Sequence, residues 1–158
     1  MRNNLKALIL HFIIITLSFI FLIILVATGP KLVQYADNTI IRILIGMLYL
    51  FIYIFSGTLL DINKSKKYDF LVGSSIGLIG IVIWFYTFSI TGKNLYEIPK
   101  ELSEFWIPMN IYNMAFTIIK LVWDIPYIPL LSLISNLIPT FLMGLGLRYK
   151  RKKSYFYG

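Results

Sequence analysis

Four long stretches of this chain, Ala7 to Ala27, Ile43 to Leu60, Phe70 to Ile90 and Ile128 to Leu147, contain no Asp, Glu, Lys or Arg. All fifteen basic and seven acidic residues lie between or beyond them. A hydrocarbon layer ~30 Å thick is crossed by about 20 apolar residues rising 1.5 Å each, so each stretch is a candidate span. The second is short, and Arg42 at its edge lengthens it by reaching its charge toward the headgroups. With 58% hydrophobic residues the chain also has too little polar surface to enclose a soluble core, so lipid must cover the excess. The expected fold class is all-α: a polytopic membrane protein of one domain, built as a four-transmembrane-helix bundle.

The opening MRNNLK precedes an apolar run longer than the roughly 7 to 15 residues of a signal-peptide core. Ala27-Thr28-Gly29-Pro30 lacks a clear small-x-small cleavage site, so the run reads as a retained helix ended by Gly-Pro. Four spans with the amino terminus inside place ten cations in the cytoplasm: Arg2, Lys6, Lys64, Lys66, Lys67, Arg148, Lys150, Arg151, Lys152 and Lys153. Five remain outside, namely Lys31, Arg42, Lys93, Lys100 and Lys120. The acids divide the other way, Asp61 and Asp69 inside, Asp37, Glu97, Glu101, Glu104 and Asp124 outside. Orientation follows Lys and Arg, which favours both termini cytoplasmic in a plasma membrane. The same topology signal accounts for the net charge of +8, so no nucleic-acid partner is expected. Heavy use of Ile, Leu, Lys, Asn and Tyr suits a bacterium of AT-rich genome.

Thr91 to Tyr127 is too long for a turn. Pro99 suits a helix start, Ile98, Leu102, Phe105 and Met109 share a face, and Pro108 is expected to interrupt that helix. From Met109 to Trp123 a polar stripe of Asn110, Asn113, Thr117, Lys120 and Asp124 runs along otherwise apolar faces, with Trp106 and Trp123 near the ends. This predicts an amphipathic interfacial helix over 98–123, between the third and fourth spans on the outer side. The alternative is a fifth span from Phe105 to Trp123, which would place Lys120 and two asparagines in the membrane.

Several residues stand out as candidates for chemistry or recognition. Gly73, Gly77 and Gly80 line one face of the third run, as a helix-packing or partner face; ordinary packing within the chain is the simpler use. Ser132, Asn136, Thr140 and Gly144 recur every fourth residue, beside Pro139. With Asn113 and Lys120, the three polar ones would line a polar cavity, or Asn136 would bond a neighbouring helix. His11 is read as an interfacial histidine, since no carboxylate lies in any run to relay protons with it. Tyr49 and Tyr53 share a face, for aromatic packing. In the tail, Arg148, Lys150, Arg151, Lys152 and Lys153, with Tyr155, Phe156 and Tyr157, are expected to meet anionic lipid headgroups.

The absence of cysteine excludes disulfides, CxxC pairs and thiolate metal sites, and a single histidine excludes the HExxH pattern. No catalytic, cofactor-binding or metal residue is assigned. Small multidrug exporters have about this length and four helices but depend on a glutamate in the first span; Ala7 to Ala27 has none, and that resemblance fails. The function expected is a non-enzymatic membrane helper, either an accessory subunit of a larger complex or an immunity-type protein, with a protein partner or a second copy in the membrane. The alternative is a small oligomeric carrier or lipid flippase.

Overall fold

The computed structural model describes residues 2–29, 38–62, 65–91 and 94–157, with side chains through Tyr155. Pro30, Lys31, Asp37, Lys64 and Lys93, used above for the helix end and the topology, lie outside the described residues, as do the side chains of Phe156 and Tyr157. All regular elements among the described residues are helical. They are α1 (Arg2–Ala27), α2 (Thr39–Thr58), α3 (Ser74–Ile90), α4 (Ile107–Tyr112), α5 (Met114–Val122) and α6 (Pro129–Tyr157). Two 3-10 turns, Lys66–Leu71 and Lys100–Trp106, lead into α3 and α4. Four units are long and apolar enough to cross a membrane: Arg2–Ala27, Thr39–Thr58, Lys66–Ile90 and Pro129–Tyr155.

Local chemistry sets several of these boundaries. The Asn38 side chain accepts from the Ile40 amide at 2.9 Å and so caps α2. Gly73 adopts φ +88° between the 3-10 turn and α3, a left-handed conformation that glycine takes without a Cβ clash. Pro139 lies inside α6 without ending it, and the Ser135 hydroxyl donates to Leu131 O at 2.7 Å rather than to the carbonyl that the proline frees. The last helix does not stop at Leu147, as the apolar run suggested; it carries the basic tail as helix to Tyr157.

α6 packs chiefly against α2, α3 and the 3-10 turn before α3. Half of its apolar window, 50%, is buried, against 17% for α1. α1 accordingly turns Phe12, Ile13, Leu17, Ile20 and Ile24 outward, an apolar face that hydrocarbon would cover. α2 and α6 touch backbone to backbone at Gly57 and Gly146. A Cβ on Gly57 would collide with Met143 O, and one on Gly146 with Ile54 O.

The end of the bundle that carries the amino terminus is tied by polar contacts. Asp61 pairs with Arg2 at 3.0 Å and Lys6 at 2.8 Å, which hold its carboxyl below the usual carboxylate range, Lys6 first. Asn3 bonds both backbone groups of Asp61, and Asn4 bonds the amide of Gly73. Lys150 donates to Leu60 O at 2.7 Å. Below these, Arg151 makes a two-point bond to Asp69, 2.8 and 2.6 Å, with both side chains buried.

The segment expected to be one interfacial helix is instead a bent pair. Pro108 falls where the 3-10 turn Lys100–Trp106 gives way to α4, in the first turn of that helix, where a residue needs no amide donor. The break falls at Asn113, between helical units Lys100–Tyr112 and Met114–Val122 that meet at 113°. Asn113 closes one helix and opens the next: its amide donates to Met109 O, and its carbonyl accepts from Phe116 and Thr117. Both ends of the pair return to the same end of the bundle. Leu95 O accepts from Leu130 N at the start of α6, and the Trp123 indole donates to Arg42 O near the start of α2. The pair is therefore a hairpin, not a straight fifth rod.

Candidate functional site

The tip of this hairpin lies among the four long helices, and it gathers most of the polar side chains singled out in the sequence. Asn113 Nδ2 donates to Asn136 Oδ1 at 2.8 Å, with both residues buried. Asn136 is seven residues into α6, about 10 Å along its axis. The neighbouring Tyr112 reaches across to Ile76 O at 2.7 Å, and its ring meets His11 edge-on at 5.0 Å. His11 Nδ1 lies 3.0 Å from the Tyr53 hydroxyl. His11 is thus a core residue, fully buried, and not the interfacial one expected; nine residues into α1, it faces the bundle. Tyr53 in turn stacks on Phe116 of the returning arm.

On that returning arm Thr117 donates across the bend to Asn110 O at 2.9 Å, satisfying a carbonyl the break leaves open. Lys120 is buried, with Nζ 3.3 Å from Ser132 Oγ and 5.8 Å from the centre of the Tyr127 ring. Among the described residues no carboxylate pairs with it. Thr140 bonds Gly73 O at 2.9 Å, away from the hairpin. So Asn113 joins Asn136, Lys120 joins Ser132, and Thr140 stands apart.

The glycine stripe faces the same helix. A Cβ on Gly80 would collide with Asn136 Oδ1, while Gly77 has Leu137 and Thr140 at ordinary contact and Gly73 has Ile76 and Ala7. All three are buried inside the chain. Glycine at 80 is what lets Asn136 sit against α3 and present its carbonyl oxygen to Asn113.

Among the described residues, four buried side-chain atoms have no hydrogen-bond partner: His11 Nε2, Trp106 Nε1, Asn113 Oδ1 and Asn136 Nδ2. The two amide atoms belong to the same asparagine pair. Removing one member leaves the other fully orphaned, so Asn136→Leu is expected to cost about 1–2 kcal/mol in detergent unfolding. The double change with Asn113→Leu should cost less than the sum of the singles; strict additivity would show that the pair does not form.

Among the described residues, two surface clefts stand out, and neither is lined by Ser132, Asn136, Thr140, Asn113 or Lys120. One, of about 410 Å³, lies at the mouth of the hairpin between its arms, with Lys100, Ser103, Trp106, Asn110, Thr117 and Tyr127 on its walls. Trp106 contributes to this wall, while its indole N–H is buried without a partner. No protein-family model matches the chain, and neither a curated protein nor a solved structure matches it.

The other cleft, of about 640 Å³, lies at the opposite end, along the helical tail. Its position divides the tail cations. Arg148 and Lys152 line it and are exposed, Lys153 is exposed outside it, Lys150 is tied to Leu60 O, and Arg151 is buried on Asp69. Arg151 therefore does not offer its charge to headgroups as the sequence suggested, because the carboxylate of Asp69 consumes it. Among the described residues no group of three His, Asp or Glu side chains is arranged to hold a metal. Sequence reasoning missed the Asp69–Arg151 bond and the Gly57–Gly146 contact; both join segments far apart in the chain, and neither has a local signature.

Proposed function

We propose that this chain is a non-enzymatic integral protein of a bacterial plasma membrane, a helper that engages a partner protein or peptide on the outer side. In this reading four spans cross with both termini cytoplasmic, and the hairpin is a re-entrant element replacing the flat interfacial helix. The cation count of ten inside to five outside supports that orientation. A non-continuous helix is tolerated at membrane depth where protein buries it, as Met109, Met114, Ala115 and Ile118 are buried here.

The observation that carries the reading is the cleft at the hairpin mouth. Its walls carry the Ser103 hydroxyl, the Lys100 side chain and the rings of Trp106 and Tyr127, while Glu97, Glu101 and Glu104 stand exposed on the same segment. An aromatic-lined pocket with a few polar groups, on a segment that exposes three carboxylates beside Lys100, suits a side chain of an amphipathic partner. The interior, by contrast, uses its polar stripe on itself.

The test is purification of the tagged chain from its native membrane in mild detergent, with everything that stays bound identified by mass. A stoichiometric companion is expected, and Ser103→Trp, which fills the cleft, should reduce its recovery at least about tenfold by excluding the anchor. A companion retained at full yield by that variant would place the docking face elsewhere.

A carrier or flippase remains the second reading, favoured by one observation. The hairpin tip brings two unpartnered amide atoms and, one helix further, the buried Lys120 among the spans, and broken helices form solute sites in many transporters. A homo-oligomer without a companion, with vesicle flux abolished by Asn136→Leu, would support it over the helper reading.

A further inference from the structure

The cleft at the amino-terminal end has a shape and charge that the helper reading does not use. Its walls are Lys66 from the 3-10 turn and Leu145, Arg148, Tyr149, Lys152 and Tyr155 from α6. Arg148 and Lys152 are one turn apart on one helix face, and Lys66 approaches from the facing element. Among the described residues, none of these three cations has a carboxylate partner. The nearby acid, Asp69, is already spent on Arg151, which also borders the cleft. Instead two of them rest on rings: Lys66 Nζ is 5.2 Å from the Tyr155 ring centre and Arg148 is 5.5 Å from that of Phe70.

An apolar track leads into this basic cleft. Leu137, Phe141 and Leu145 follow one another at four-residue steps on α6 and continue the face that carries Arg148. Leu137 and Phe141 are exposed, and Phe141 stacks on Phe70 at 5.6 Å, the ring that Arg148 overlies. An apolar lane ending in three unpaired cations matches a molecule with a chain at one end and a phosphate at the other.

We propose that this cleft binds one anionic glycerophospholipid, its phosphate held by Lys66, Arg148 and Lys152 and an acyl chain lying along Leu145, Phe141 and Leu137. Free phosphate would use the cations but not the track, which is why the lipid is the better fit. The site differs from general attraction of a basic tail to an anionic surface: it selects Lys66, distant in sequence, and leaves out Lys153, close by. It rests on the chain lying in a bilayer and is independent of the partner met at the hairpin end.

Native mass spectrometry of the detergent-purified chain, titrated with phosphatidylglycerol or with phosphatidylcholine of the same acyl chains, reads the site directly. One phosphatidylglycerol per chain is expected, and excess inorganic phosphate should not displace it. Each cation at an anionic surface contributes about fivefold in affinity, so Lys66→Gln, Arg148→Gln and Lys152→Gln together should weaken retention about 100-fold. Lys153→Gln should stay within about twofold of the wild type. Equal retention of the two lipids would overturn the proposal, as would displacement by phosphate, which marks a free-anion site. A loss on Lys153→Gln as large as that of the triple change would mean diffuse attraction. If the triple variant does not fold, Lys66→Gln alone decides, with about a fivefold loss expected and no loss overturning the site.

Discussion

Replacing Asp69 by Asn, or Arg151 by Gln, is expected to lower the stability of the detergent-solubilised protein by about 3–5 kcal/mol, a drop of roughly 10 °C in melting temperature. The two side chains are 0% and 4% exposed and meet through two short charge-assisted bonds. Removing either partner leaves a largely desolvated charge without its counter-charge, and that orphaned charge, rather than the lost bond, is the larger part of the effect. The sign of a control separates the two. Asp69→Leu combined with Arg151→Met leaves no buried charge and should be more stable than either single change, even though it restores no bond. Should both singles melt within about 1 °C of the wild type, the pair is solvated and exposed, and the packing of the helical tail described above is wrong.

This pair also shows what the sequence could and could not convey. Charge-free runs of about 20 residues mark helices one at a time, because each needs only its own composition. Hence four apolar helices were legible, with boundaries off by a few residues except at the last. Arg151 read as a tail residue because the apolar run stops at Leu147; nothing local says that the helix continues or that Asp69, 82 residues earlier, waits beside it. The hairpin was hidden for a related reason. Asn110, Asn113, Thr117, Lys120 and Asp124 fit a continuous helical stripe, and a stripe predicts a face, not its neighbour. In the structure the stripe is divided: Asn113 turns the chain and binds Asn136, Thr117 bonds Asn110, Lys120 meets Ser132, and Asp124 sits in a left-handed turn at φ +54°. Pro108 marks the change from the 3-10 turn to α4, since proline breaks a helix interior but begins a helix well. Asn136 was the most legible site residue, since a lone amide in an apolar run must find a partner wherever the fold places it.

The glycines separate pattern from packing, and they carry the second large effect. Gly73 and Gly77 form the recognisable four-residue spacing, whereas Gly57 and Gly146 sit on different helices and form no motif within either. The expected order of harm is the reverse of the order of recognisability. At Gly77 a Cβ would lie 3.6 Å from Leu137 Cδ2 and from Thr140 Oγ1, ordinary contact, so Gly77→Ala should be within about 0.5 kcal/mol of the wild type or slightly stabilising, as alanine favours helix. At Gly146 a Cβ meets the backbone of Ile54 and, at 3.0 Å, Gly57 Cα, and backbone does not swing aside as a side chain does. Gly146→Ala must therefore push α2 off α6, with a loss of about 3 kcal/mol or more, and Gly57→Ala should act alike because the two meet at the same crossing. Combined, they should cost less than the sum, since a crossing already forced open cannot be opened fully a second time. Thermal unfolding of the three variants in one detergent measures this order. If Gly146→Ala melts with Gly77→Ala, the two backbones do not touch, and the crossing that places Lys150 on Leu60 and carries Arg151 to Asp69 must lie farther apart.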